Sequence, residues 1–189
     1  MRKFFIFVFE VMKVVLISLA IIIPVRYFLI QPFYVKGASM EPSFYDHEYL
    51  VIDEISYRFR EPERGEIIVF KYPKDPSQYF IKRMIGLPGD KIEIKDGSVF
   101  VYTEDSGHFI KLSEDYLSDE VETFANTEEP IELGADEYYV LGDNRNHSKD
   151  SRSFGTVKSS FIVGRVLFRG WPLSRLTIFS APQYSLLFN

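Results

Sequence analysis

Apolar residues are distributed along this chain in two textures. From Phe4 to Val35 they are almost continuous, with charge only at Glu10, Lys13 and Arg26. From Phe33 onward they come in short runs broken by Gly, Pro and charged positions. Tyr49-Leu50-Val51-Ile52 and Glu66-Ile67-Ile68-Val69-Phe70 predict two strands, with Arg64-Gly65 as the turn into the second. Tyr79 to Ile85 predicts another, stopped at Gly86-Leu87-Pro88-Gly89-Asp90, where a proline and glycines enforce a turn. Lys91–Lys95 and Ser98–Tyr102 flank Asp96-Gly97, a preferred type I′ pair, and predict a hairpin. Strand texture returns at Glu137–Leu141, Phe161–Val163 and Arg165–Arg169, and the tail from Trp171 is apolar but irregular. The expected fold class is mainly β.

The first texture admits three readings. Arg2-Lys3 followed by an apolar stretch suits a cleaved signal peptide, but Ile30-Gln31-Pro32-Phe33 offers no small-residue cleavage site. A buried core helix would have to be apolar nearly all round. A membrane anchor fits best. The uncharged run from Val14 to Val25 is 12 residues, short of the ~20 a span needs, so the helix must start near Phe4. Glu10 and Lys13 then share one face and partly neutralise each other, and Lys13 can snorkel. Charges on both flanks leave the orientation weakly determined.

Composition narrows the function. Hydrophobic residues make up 46% of the 189, enough for a real core, and the 18 Phe and 12 Tyr favour sheet over helical bundle. A net charge of −5 with no basic run argues against nucleic-acid binding. With no cysteine and with His47, His108 and His147 scattered, thiolate catalysis and a clustered zinc site are disfavoured. Residues 103–134 carry an acidic run that includes Glu104, Asp105, Glu114, Asp115, Asp119, Glu120, Glu122, Glu128 and Glu129. It is expected to be an exposed, solvated excursion.

Three polar segments stand out. Ser39, in Gly37-Ala38-Ser39-Met40-Glu41-Pro42, follows small residues that keep its hydroxyl approachable. Lys82 falls in a strand, on the same face as Phe80 and Met84. Burial there would disfavour its charged form, and a drop from ~10.4 to near 7 costs roughly 4–5 kcal/mol. The plain alternatives are a turn serine and an edge-strand lysine pointing at water. The third segment, Gly142 to Arg152, packs Asp143, Asn144, Arg145, Ser148, Asp150, Ser151 and Arg152 into one loop, more than a turn requires.

These segments, in this order after an N-terminal anchor, resemble the signature boxes of the bacterial type I signal peptidases, and the single short anchor resembles that of the smaller Gram-positive-type members. The likeness runs from about Phe33 to Trp171. It implies a membrane-bound serine endopeptidase that removes signal peptides from exported preproteins. The fold implied is a coiled, mostly antiparallel β-sheet domain over 33–102 and 135–189. Residues 1–32 would form a cytoplasmic stub and anchor, and 103–134 an insertion. Ser39 is implied as nucleophile and Lys82 as general base. Ser148 would orient the lysine amine. Arg83 with Asp143, and Asp150 with Arg152, would brace the site beside Asn144, and Met40 and Pro42 would shape the turn. The oxyanion would be met by backbone at Ser39 and Gly37, since position 37 lacks the hydroxyl some members have there. No metal or cofactor is implied. The partners implied are signal peptides and the bilayer, for a monomer with its catalytic domain outside a bacterial plasma membrane. Two alternatives stay open. One is a Ser/Lys peptidase dedicated to a single partner. The other is an inactive membrane-tethered β-domain that binds peptides by strand addition.

Overall fold

The computed structural model describes residues 2–24, 31–118, 120–127, 129–182 and 184. Arg26 and Ile30, next to the expected anchor, and Asp119 and Glu128, in the acidic run, lie outside the described residues. Helix α1 spans Arg2–Pro24, 23 residues, or about 34 Å at 1.5 Å per residue. It is long and apolar enough to cross a membrane, and none of its apolar window is covered by the rest of the chain.

The rest is built from antiparallel strands: β1 (Gln31–Tyr34), β2 (Tyr49–Asp53), β3 (Ile67–Tyr72), β4 (Asp75–Gly86), β5 (Lys91–Lys95), β6 (Ser98–Tyr102), β7 (Phe109–Lys111), β8 (Ile131–Glu132), β9 (Glu137–Leu141), β10 (Val157–Lys158), β11 (Ile162–Trp171) and β12 (Thr177–Ile178). One sheet runs β1-β2-β11-β3-β4-β9-β10, with β12 also on β11. The two strands expected around Gly164 are one long β11, whose pairing with β3 is irregular between Ile162 and Gly164. The Asp96-Gly97 hairpin forms as expected, with φ of 48° and 72° at the turn. It does not join the main sheet. With β7 and β8 it makes a second sheet, β7-β6-β5-β8, so strands on both sides of residue 103 build one unit.

The third strand shows why β4 ends up buried. Ile67 and Val69 enter one core with Met40, Phe44, Leu50 and Ile52. Ile68 and Phe70 enter another with Met84, Tyr138 and Val140. A strand covered on both faces reads as a continuous apolar run. The fourth strand lies between β3 and β9, with Lys82 opposite Ile68 and Arg83 opposite both Ile67 and Leu141. Ladder pairing with β9 begins only at Arg83, one residue beyond Lys82, but Lys82 is 3% exposed, so the alternative of a lysine pointing at water is excluded. Since β9 runs directly into Gly142, the polar loop emerges beside Lys82 and Arg83.

Candidate active site

The serine is held by a turn plugged into the core on both sides. Val35 N–H donates to Glu48 O at 2.8 Å, and Phe44 N–H to Met40 O at 2.8 Å. Met40 and Phe44 are fully buried, while Ser39 between these anchors is half-buried. Gly37 has a left-handed φ of +94°, a backbone state glycine adopts without strain. Pro42, in a cis peptide, presents its carbonyl to Arg175. Behind the turn, Arg169 donates to Ser43 O at 2.8 Å and to the buried Glu48 at 2.9 Å.

The lysine reaches this serine. Lys82 Nζ lies 2.7 Å from Ser39 Oγ and donates to Ile81 O at 2.8 Å. The residue is only 3% exposed. Burial among apolar neighbours pulls its pKa down to about 8, against the opposing pull of Asp150 and Asp143. The two residues are 43 positions apart in sequence.

The Gly142–Arg152 loop holds the serine segment and Arg83, the residue after the lysine. Asn144 N–H donates to Ser39 O at 3.1 Å, and its side-chain amide donates to Ala38 O at 3.1 Å. Gly142 packs so tightly that a Cβ there would overlap Ser148 Oγ and lie 2.5 Å from Ser39 O. Asp143 receives a bidentate pair from Arg83 at 2.9 and 2.7 Å. Asp150 is held by Arg152 at 2.9 and 2.8 Å and by Gly142 N–H at 3.1 Å. These contacts keep its pKa low although burial acts to raise it.

Two expected roles meet a different geometry. Ser148 Oγ makes no bond to the lysine amine, whose partners are Ser39 Oγ and Ile81 O. It is buried without a hydrogen bond of good geometry, yet close enough to the Asp150 carboxylate to help hold that pKa down. Gly37 N–H is not free for an oxyanion, because it donates to Asp46 Oδ1 at 3.0 Å. That expectation is corrected. Ser39 N–H has no partner among the described residues.

A cleft of about 470 Å³ opens at the pair, between Lys36–Ser39 and Gln78–Lys82, with His147 and Lys149 at its border. In a larger hollow of about 660 Å³ between Glu93–Lys95 and Ala125–Thr127, the lysine and the threonine are both exposed, with no burial to lower the amine's pKa. The acidic run departs from expectation in one place. Glu104, Asp105, Asp115, Glu120, Glu122 and Glu129 are exposed, but Glu114 forms an ion pair with the buried Arg145 of the polar loop. Nothing in the spacing of the acidic residues distinguishes Glu114 from its neighbours.

A family model described as signal peptidase, peptidase S26, matches residues 8–171. The chain belongs to the signal peptidase family, peptidase S26. A Synechocystis protein named "Probable signal peptidase I-2" is 37% identical over 172 residues, covering 88% of this chain and 75% of its own. Signal peptidase I of Leptolyngbya laminosa is 35% identical, with 88% and 81% covered. Signal peptidase IB of Staphylococcus aureus is 34% identical, with 84% and 86% covered. The chain is thus an enzyme of a membrane-bound serine protease family that cleaves signal peptides, and its mainly β architecture with an N-terminal apolar helix is consistent with that membership.

Proposed function

We propose that this enzyme cuts preproteins with Ser39 as nucleophile and Lys82 as general base, on the outer side of a bacterial plasma membrane. The observation that carries the reading is the 2.7 Å approach of Lys82 Nζ to Ser39 Oγ by a lysine that is 3% exposed. A buried amine with pKa near 8 is neutral in a useful fraction of molecules at working pH. Neutral Lys82 takes the Ser39 proton as Oγ attacks the carbonyl, and returns it to the leaving amine. Water activated by the same amine then releases the acyl group. Ser39 N–H is the donor free to meet the oxyanion. Ser148, whose buried hydroxyl lies by Asp150 and not on the amine, would have to turn toward Lys82 to take the amine-orienting role that the family resemblance implies.

The substrate has a place to lie. On the β9 side, β4 is paired only from Arg83 to Gly86. The preceding residues line the cleft with an open ladder edge to which an extended peptide can add. Tyr34, Tyr49 and Trp171 stand in register across β1, β2 and β11, each about half exposed. With Leu173, Leu176 and Ile178, also exposed, they form a surface suited to the lipid interface. Phe33 instead packs on the core. An inactive peptide binder gives no reason for the Ser39–Lys82 approach.

Ser39→Ala and Lys82→Arg should each abolish preprotein cleavage by full-length enzyme in detergent, with the fold retained. Arginine fails as a base because it stays charged. Cleavage by wild-type enzyme should rise through pH ~8. Full activity of Ser39→Ala, or a rise only near pH ~10, would overturn the assignment.

A further inference from the structure

We propose that Glu114, in the acidic segment, is a positioning residue for cleavage: through Arg145 it fixes the loop that registers Ser39 against Lys82. The inference rests on the Ser39–Lys82 reading given above.

Arg145 has only 3% of its surface exposed, and its guanidinium fork has five N–H donors to place. Nε donates to Gly142 O at 3.0 Å, within the loop itself. The four other donors go to the acidic segment. Nη1 donates to Glu114 Oε2 at 3.0 Å and to Thr123 Oγ1. Nη2 donates to Glu114 Oε1 and, at 3.4 Å, to the Tyr116 hydroxyl. Tyr116 in turn donates to Glu114 Oε1 at 2.6 Å, and its ring lies 3.7 Å from the guanidinium carbon of Arg83. One short stretch of the segment therefore touches the arginine beside the general base as well as the arginine of the polar loop.

The opposite side of that loop is pressed onto the nucleophile. Asn144, next to Arg145, donates to Ser39 O and Ala38 O. Gly142, whose carbonyl Arg145 holds, is in close contact with Ser39 O. Arg145 O accepts from Arg152 Nη2 at 2.7 Å, so the Asp150–Arg152 pair is tied to the same point. The loop is thus clamped between Glu114 outside and the Ser39 backbone inside. If the outer clamp slackens, Ser39 loses its register with Lys82 and water gains access to the lysine. The exposed carboxylates of the segment have no such connection, and this separates Glu114 from the rest of the acidic run.

The test uses full-length enzyme in detergent and a synthetic signal-peptide substrate, comparing wild type, Glu114→Gln, Thr123→Val, Ser39→Ala and the exposed Asp115→Asn. Kinetics are read well below each variant's melting temperature. Glu114→Gln should lower kcat by about tenfold to a hundredfold with KM little changed, the size expected for misplacement of a reacting group. Its apparent pKa should move up toward that of an ordinary lysine. Thr123→Val, which removes a single hydroxyl from the same arginine, should move both quantities in the same direction by less. If Glu114→Gln does not fold, Thr123→Val alone decides. Asp115→Asn should match wild type. A lowered melting temperature with unchanged kcat and pH profile would make the clamp merely structural and overturn the proposal. An active Ser39→Ala would instead overturn the underlying reading, so the two failures are distinguishable.

Discussion

Burying Lys82 should cost the folded state free energy, and the cost should disappear at high pH. In the unfolded chain the amine titrates near 10.5, and in the folded domain near 8. The difference corresponds to about 3 kcal/mol at 1.36 kcal/mol per pH unit. Between these two values the unfolded chain still holds a proton that the folded chain has lost, so stability rises with pH across that window. The full cost is present below pH ~8 and absent above ~10.5. Lys82→Met removes the titrating group and keeps much of its volume. It also removes the bonds to Ser39 Oγ and Ile81 O, worth about 1 kcal/mol each, but that loss does not vary with pH. Urea unfolding of wild type and Lys82→Met in detergent from pH 7 to 11 should therefore give a difference that shifts by about 3 kcal/mol toward wild type as pH rises. The other tyrosines and lysines titrate in both proteins and cancel. A difference that stays flat over the whole range would refute the claim that Lys82 is desolvated.

Two further outcomes follow from the loop. Asp143→Asn leaves the buried Arg83 without its bidentate partner and should destabilise the domain by about 3–5 kcal/mol in the same unfolding assay. Gly142→Ala would place a methyl on Ser148 Oγ and against Ser39 O. It should cost about 1–3 kcal/mol of stability and lower kcat in the peptide-cleavage assay, because relief of the clash must move the loop or Ser39.

What could be read from the chain divides by the range of the interactions. The β5–β6 hairpin and the end of β4 were legible because Asp96-Gly97 and Gly86–Asp90 are local turn signals with one good backbone solution. The face of Lys82 followed from strand alternation, and its depth did not. Depth depends on β3 pairing with β4 and on the Ser39 turn reaching the amine, long-range contacts that no local pattern encodes. β7, β8 and β10, two or three residues each, are too short to show a period and form only because longer strands offer them a ladder. The proposed catalytic pair was legible as two candidate residues with plain alternatives, and the polar loop turned them into a candidate site. Gly37 N–H was misassigned because its partner, Asp46, lies 9 positions further along the chain. Glu114 was missed because nothing local separates it from the acidic residues around it. Only the position of Arg145 in the folded loop does.

The assignment of Ser39 as nucleophile can be tested most directly by trapping the covalent intermediate. Full-length enzyme in detergent is mixed with a signal-peptide substrate, quenched in acid within the first turnover and mapped by mass spectrometry. The expected result is an ester between Ser39 Oγ and the substrate residue preceding the cut, absent in Ser39→Ala and slower to accumulate below pH ~8. An adduct on any other residue, or cleavage by the Ser39→Ala enzyme, would contradict the account.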